Sequence, residues 1–132
     1  TRWSLLSDCL SDSASPGYWP FLDVHAAIAF SAAGHTPRMR SFARAISDCA
    51  QRRTGSARVA RIATLSALRA VEAFAGKRYA EVLDILRRLH PALELLGGSH
   101  AQHALFERMF AEAGRRLRAS DAVELAVWGV AA

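Results

Sequence analysis

Three histidines are the side chains best suited to hold a metal ion or to transfer a proton. His100 and His103 lie three residues apart, so they share one face if the segment is helical, and His25 comes much earlier in the chain. Such a pair ligates zinc when a third histidine or a carboxylate converges on it. The chain lacks a His-Glu-x-x-His pattern, and we interpret His25 as a hydrogen-bonded core residue. A metal-dependent enzyme using these histidines is the least favoured hypothesis, and we predict neither a metal nor a cofactor.

Candidate nucleophiles are equally isolated. Cys9 and Cys49 are 40 positions apart and form no Cys-x-x-Cys motif, so we expect reduced, inert thiols on inward helix faces. The Gly97-Gly98 pair lacks the lysine of a phosphate-binding loop, and the hydroxyl of Ser99 is better explained as a helix cap. We therefore predict a protein without catalytic residues.

Arginines form the most informative charged feature. Seven arginines and one acid fall between residues 38 and 61, an excess larger than the net charge of +5 of the whole chain. Helical spacing places Arg40 and Arg44 on one face. Arginine forms planar, forked contacts with anions, so this segment suits an acidic peptide, an anionic lipid surface or nucleic acid, whereas a solvated helix face is the alternative. The candidate anion- or partner-binding residues are Arg38, Arg40, Arg44, Arg58 and Arg61.

The composition predicts helices as the elements that carry these residues. Apolar residues make up 52% of the chain, with alanine prominent among them, and no β-branched run alternates with polar residues over the length of a strand. We expect one all-α domain over residues 1–132, the C-terminal part of a longer protein. No apolar run is long enough to span a bilayer. Without a signal peptide and with reduced thiols, a cytoplasmic location is expected.

Proline, glycine and apolar periodicity predict where the helices lie. The expected helices cover residues 1–12, 20–33, 36–53, 57–75, 78–95 and 100–114, followed by one that Ser120 caps. Thr36 is expected to cap the third helix, and Pro91 to end or kink the fifth near His90. Ser99 and Gln102 have the spacing of a capping box. Predicted inward residues include Phe21, Val24, His25, Ile28, Ala32, Val59, Ile62, Val82, Leu86, Phe106 and Phe110.

A glycine that ends a helix recurs at Gly34, Gly76 and Gly114, each shortly after a phenylalanine. The separations are 42 and 38 residues, which is within the range of helical repeats. We therefore predict a tetratricopeptide-like α-solenoid of about three antiparallel helix pairs. Stacked pairs leave a concave surface lined by the first helix of each pair, here the helices near 20–33, 58–75 and 100–113.

Three segments resemble the C-terminal part of the tetratricopeptide repeat protein 38 family, over roughly residues 18–127. They are the stretch from Pro20 to Phe30, the repeat from Phe74 to Leu86, and above all the run Leu95-Leu96-Gly97-Gly98-Ser99-His100-Ala101-Gln102. His103-Ala104 follow this run where the family usually has Arg-Asp. The resemblance implies an α-solenoid and no established catalytic activity, and it supplies no catalytic residues.

The favoured function is therefore a non-catalytic interaction or scaffold module that binds a protein or peptide partner of unspecified identity. The alternative is binding of an anion or nucleic acid through the Arg38–Arg61 segment. Nucleic acid is the less favoured of these partners, because no aromatic residues interleave with the arginines to stack on bases. Exposed helix faces also leave homo-oligomerisation open. The turn and capping residues expected to shape the surface are Gly34, Gly76, Gly97, Gly98, Ser99 and Gln102.

Overall fold

The computed structural model describes residues 1–13 and 15–117, and every regular element in these stretches is helical. The elements are α1 Arg2–Ser13, α2 Pro20–Ala32, α3 Thr36–Ala50, α4 Gly55–Val59, a π-helical turn Ala60–Thr64, α5 Leu65–Ala75, α6 Tyr79–Leu89, a 3₁₀ segment His90–Leu96 and α7 His100–Arg116. The all-α prediction is thus confirmed for the described residues, and the helix expected after Ser120 lies outside them. None of the described helices is long and apolar enough to cross a membrane.

The helices pack around one apolar core. α2 contacts α1, α3 and α5, and α6 lies against both α5 and α7. Val24, Ile46, Leu86 and Phe106 from four different helices are all fully buried. Each such side chain stabilises the fold by about 1.5–3 kcal/mol relative to an exposed position. The core therefore holds the helices in fixed relative positions.

Two turns, one after α2 and one after α5, have the same backbone hydrogen bonds. Gly34 N–H donates to Ser31 O at 3.1 Å, and His35 N–H donates to Phe30 O at 2.9 Å. In the second turn the corresponding bonds run from Lys77 to Phe74 and from Arg78 to Ala73, at 3.0 and 2.9 Å. All four residues of the second set are 43 positions beyond those of the first.

Gly76 directly follows the last residue of α5, as predicted, but it is not the counterpart of Gly34. The left-handed position is Gly34 in the first turn, with φ 73°, but Lys77 in the second, with φ 59°. Gly76 precedes it with an ordinary φ of −78°. The expected helix end at Gly114 is wrong, because α7 continues through this buried glycine to Arg116. The three glycines are thus not equivalent markers of one repeat.

The cap predicted for α3 is also wrong. His35 occupies the N-cap position and Thr36 is already the first helical residue, without a side-chain cap hydrogen bond. The reason is the tight turn at His35, whose φ of −82° and ψ of 62° are typical of an inverse γ-turn. Thr36 N–H donates to Gly34 O at 3.0 Å across this turn, which starts the helix one residue early.

A π turn interrupts the helix that was expected to run regularly from 57 to 75. It widens the helix over Ala60–Thr64 and so shifts which side chains face inward. Ile62, predicted to be buried, is 43% exposed as a result, whereas Thr64 is only 1% exposed. The hydroxyl of Thr64 has no hydrogen-bond partner among the described atoms.

The Gly97-Gly98 run packs against the start of α2. Both glycines have positive φ, 73° and 91°, and a Cβ atom added to Gly98 would lie 3.2 Å from the Phe21 ring. The predicted capping box follows at once, with Ser99 N–H donating to Gln102 Oε1 at 2.8 Å. Before it, α6 ends at Leu89 and Pro91 lies in the 3₁₀ segment, in agreement with the expected end of the helix near His90. Two of the segments that carry the family resemblance therefore meet in space.

Three further burial predictions are wrong. Cys9, His25 and Ala32 are exposed, because α1 and α2 each present one side to solvent. His25 does make the expected hydrogen bond, from Nδ1 to Phe21 O at 2.9 Å.

Candidate functional site

A groove of about 500 Å³ opens between α2, α5 and α7, the described helices near the three segments predicted to line a concave surface. This volume is within the roughly 300–1,000 Å³ of typical ligand sites. The lining residues are Ile28, Ser31, Ala32, Val71, Phe74, Ala75, Leu105, Arg108, Met109 and Glu112. Seven of these ten side chains are apolar, so the groove offers a mainly hydrophobic surface.

The three helices present equivalent faces to the groove. α2 contributes positions 28, 31 and 32, α5 contributes 71, 74 and 75, and α7 contributes 105, 108 and 109. Residues at i, i+3 and i+4 lie on one side of a helix. The offset is 43 positions from α2 to α5 (28 to 71) and 34 from α5 to α7 (71 to 105). The groove is therefore built from three rows with the same internal spacing.

The wall on the side of α5 is fixed by aromatic contacts. The rings of Phe74 and Tyr79 meet edge to face, with centroids 5.7 Å apart. The guanidinium of Arg116 lies over the Tyr79 ring at 5.4 Å and donates to its hydroxyl at 2.9 Å. Such contacts contribute roughly 0.5–1.5 kcal/mol each and restrict the rotamers involved. Phe74 thus enters the groove in a defined orientation.

The rim formed by α7 carries a net positive charge. Glu112 Oε1 lies 2.7 Å from Arg115 Nη2 and 2.6 Å from Arg116 Nε. Hydrogen bonds from Arg115 and then Arg116 lower the pKa of Glu112 to about 2, so at neutral pH this carboxylate is ionised and its one negative charge faces two positive ones. Arg108, one turn earlier, is exposed and makes no ion pair with a described residue.

A polar cleft of about 360 Å³ adjoins the groove and shares Ser31 and Ala75 with it. It lies between the two equivalent turns, and its charged lining residues are Arg40, Glu72 and Arg78. Arg78 Nε pairs with Glu81 at 2.7 Å. The apolar groove therefore continues into a charged region at the ends of α2 and α5.

Two of the five predicted arginines have structural roles. Arg38 Nη1 pairs with Asp8 Oδ1 at 2.5 Å and donates to Ser7 Oγ at 3.2 Å, which ties α3 to α1. Arg61 donates to the carbonyls of Ala50 and Arg52, at the C-terminal end of α3. Carbonyls there lack helical partners, so a guanidinium is a suitable cap.

The other three, Arg40, Arg44 and Arg58, are exposed. Arg40 lines the polar cleft near the start of α3, whereas Arg61 binds the opposite end of the same helix. Arg40 and Ala50 are separated by about 15 Å along the axis, at 1.5 Å per residue. The arginines of this segment therefore do not form a single cluster, because Arg40 and Arg61 lie at opposite ends of α3.

The structure brings His25 and His103 to the same aromatic ring, although they are distant in sequence. Their ring centroids lie 4.7 and 6.2 Å from that of Phe21. Each is also hydrogen bonded to a backbone carbonyl, His103 through Nε2 to Gly97 O at 2.8 Å. His100 is exposed at the start of α7. In the described part of the chain, no three histidine, cysteine or acidic side chains are arranged to hold a metal ion.

Asp23 is a buried polar residue that sequence reasoning missed. Its side chain is 2% exposed, and both carboxylate oxygens accept from Gly17 N–H, at 3.3 and 3.2 Å. Burial raises the pKa of Asp23 to about 7, and the Gly17 hydrogen bond opposes this. The thiol of Cys49 donates to the neighbouring Pro16 carbonyl at 3.4 Å. The one sequence signal was an acid in the first turn of a helix that follows a Pro-Gly turn.

No family model matches this chain, and neither a curated protein nor a solved structure is detectably similar to it.

Proposed function

We propose that this chain is a non-catalytic protein-binding module of tetratricopeptide-like solenoid form, related to the tetratricopeptide repeat protein 38 family. Its binding site is the groove between α2, α5 and α7. The observation that carries the proposal is the equivalence of the three groove-lining rows, because a stack of helix pairs places the first helix of every pair along one surface. The offset of 34 positions between the second and third rows equals the tetratricopeptide period.

The shape and polarity of the groove favour an amphipathic helix as the bound element. Such a helix places apolar anchors into a hydrophobic groove at i, i+3, i+4 and i+7. Ile28, Phe74 and Met109 are each only partly buried, so their remaining apolar surface is available to such anchors. Covering it stabilises the complex by about 25 cal/mol per Å² before the costs of association.

A labelled synthetic peptide tests this proposal. The probe is a 16-residue helical peptide with leucines at these spacings and neutral polar residues elsewhere, measured by fluorescence anisotropy. Ala75 is exposed in the groove, so Ala75→Tyr fills it with little effect on the core. We expect micromolar binding that weakens at least tenfold in this variant.

The matched control is Ala80→Tyr, which adds the same side chain at an exposed position of α6 outside the groove. It should bind as the unmodified chain does. Equal affinity in all three proteins, or no binding at millimolar concentration, would refute the groove as the site.

A second candidate function is anion or nucleic-acid binding through the exposed residues Arg40, Arg44 and Arg58. The specific observation in its favour is that none of the three makes an ion pair with a described residue. Gel shifts at increasing salt test it, because neutralised phosphates make affinity salt dependent. Shifts unchanged by Arg40→Ala combined with Arg44→Ala would remove this candidate.

A further inference from the structure

The charged residues around the groove indicate which charge its partner has. Two groups of arginines border it: Arg108, Arg115 and Arg116 on α7, and Arg40 and Arg78 in the adjoining cleft. The acids among or paired with them are Glu72, Glu81 and Glu112. The border thus has five positive charges against three negative ones.

Most of these charged side chains already form ion pairs with one another. Glu112 is paired with both Arg115 and Arg116, and Glu81 with Arg78. Arg108 differs, because it lines the groove itself, is exposed, and has no acidic partner among the described residues. Glu112, the acid one turn away, is turned toward the following arginines instead.

We propose that the groove selects an amphipathic helix with acidic residues beside its apolar stripe, and that Arg108 binds one of these acidic side chains. This inference rests on the proposed function. A carboxylate next to the apolar anchors would meet Arg108, whose guanidinium lines the groove and has no ion pair with a described residue. Arginine suits this role because its planar fork binds carboxylates in a bidentate manner. A basic helix would instead approach a net positive rim and be repelled.

Three peptides that share one leucine stripe and differ only at two flanking positions, with Glu, Gln or Lys there, test the inference. Each is titrated at 50 and 500 mM salt by fluorescence anisotropy. For the unmodified chain we expect the Glu peptide to bind about tenfold more tightly than the Gln peptide, and the Lys peptide about tenfold more weakly. High salt should reduce both differences, because screening weakens exposed charge pairs.

Charge reversal supplies the decisive variant. Arg108→Glu should invert the order, so that the Lys peptide binds best, while the Gln peptide stays within about twofold of its original affinity. Arg2→Glu changes the net charge equally at an exposed position of α1, outside the arginine segment and outside the described lining of groove and cleft, and should keep the original order. Circular dichroism confirms that both variants remain folded.

The outcomes separate this inference from the function on which it rests. If all three peptides bind equally and Ala75→Tyr still weakens them, the groove function stands and the acidic preference is wrong. If Arg2→Glu alters the order as much as Arg108→Glu, the preference follows overall charge alone and the role of Arg108 is refuted. A single-stranded oligonucleotide that displaces the Glu peptide at lower concentration than unlabelled Glu peptide does would also overturn the inference. Failure of every peptide to bind overturns both proposals.

Discussion

Two helical units of this molecule have turns with the same backbone geometry, although different residues form those turns. The first unit is α2 with its turn and α3, and the second is α5 with its turn and α6. Their turns have the same hydrogen bonds, yet glycine takes the left-handed position in one and lysine, Lys77, in the other. The comparison shows that the turn is imposed by hydrogen bonding and helix packing, and that glycine only lowers its cost.

The units also bury different polar groups near their starts. The first buries the carboxyl of Asp23 against Gly17, and immediately before the second the hydroxyl of Thr64 is buried without a hydrogen-bond partner among the described residues. A buried hydroxyl that lacks a hydrogen bond costs about 1–3 kcal/mol. A buried carboxyl adds a dependence on pH, so the two units should respond differently to solution conditions.

The largest expected effect is a loss of stability, and it tests whether the two units contribute equally to the free energy of unfolding. Ile46 and Leu89 lie 43 positions apart in α3 and α6, and both are fully buried. Ile46→Ala and Leu89→Ala should each lower the free energy of unfolding by about 3 kcal/mol, through lost burial and a cavity. Urea denaturation followed by circular dichroism measures both. Costs that differ by more than about twofold would show that the core is concentrated in one unit.

Replacing Asp23 by asparagine should sharpen the difference in pH response. Because the pKa of folded Asp23 is raised to about 7 from an ordinary 3.8, its protonation favours the folded state. Its stabilisation is therefore complete below pH 4 and is lost as the pH rises to about 7. Asp23→Asn keeps an acceptor for Gly17 N–H and cannot ionise. At pH 8 it should be more stable by about 1–2 kcal/mol, a value discounted for residual screening.

Thermal unfolding of both proteins from pH 4 to pH 8 checks this expectation. Asp8 and Glu112, whose pKa values are lowered by arginine partners, destabilise both proteins alike at low pH, so the difference between the two curves isolates Asp23. A difference that does not change with pH would contradict the assigned burial effect.

The smallest effect concerns the turns themselves. Gly34→Ala places a Cβ where the structure has open space, so the only penalty is the left-handed φ, about 1 kcal/mol. Lys77→Gly removes that same strain in the second unit but adds backbone freedom to the unfolded chain, for a net gain of about 0.5 kcal/mol. Chemical denaturation measures both, and opposite signs are the diagnostic result. Equal signs would mean that the turns are not energetically alike.

Local sequence signals predicted most of the helices correctly. Pro20 at the start of α2, the apolar stripe of α6 and the Ser99–Gln102 capping box all act within a few residues, so they are visible without tertiary structure. The exposure of Ile62 was not predictable in this way. It depends on a π turn that lies between two ordinary helices, α4 and α5, and no local sequence signal marks that turn.

The site was predictable only at the level of helices. The three helices that line the groove follow from the order of the predicted elements. The pairing of Arg38 with Asp8 and the capping of α3 by Arg61 join residues that no local pattern connects. Asp23 was missed for a related reason, because its burial arises from the chain folding back over it at Gly17.

The contact between Gly98 and Phe21 has a consequence for the kinetics of folding. Most helix contacts in this molecule join neighbours along the chain, which favours rapid folding. Here the ring of Phe21 is covered by a segment 77 positions later in the sequence. During synthesis, the start of α2 therefore emerges well before the residues that shield its ring. Phe21 is therefore a residue whose packing is completed long after it has been translated.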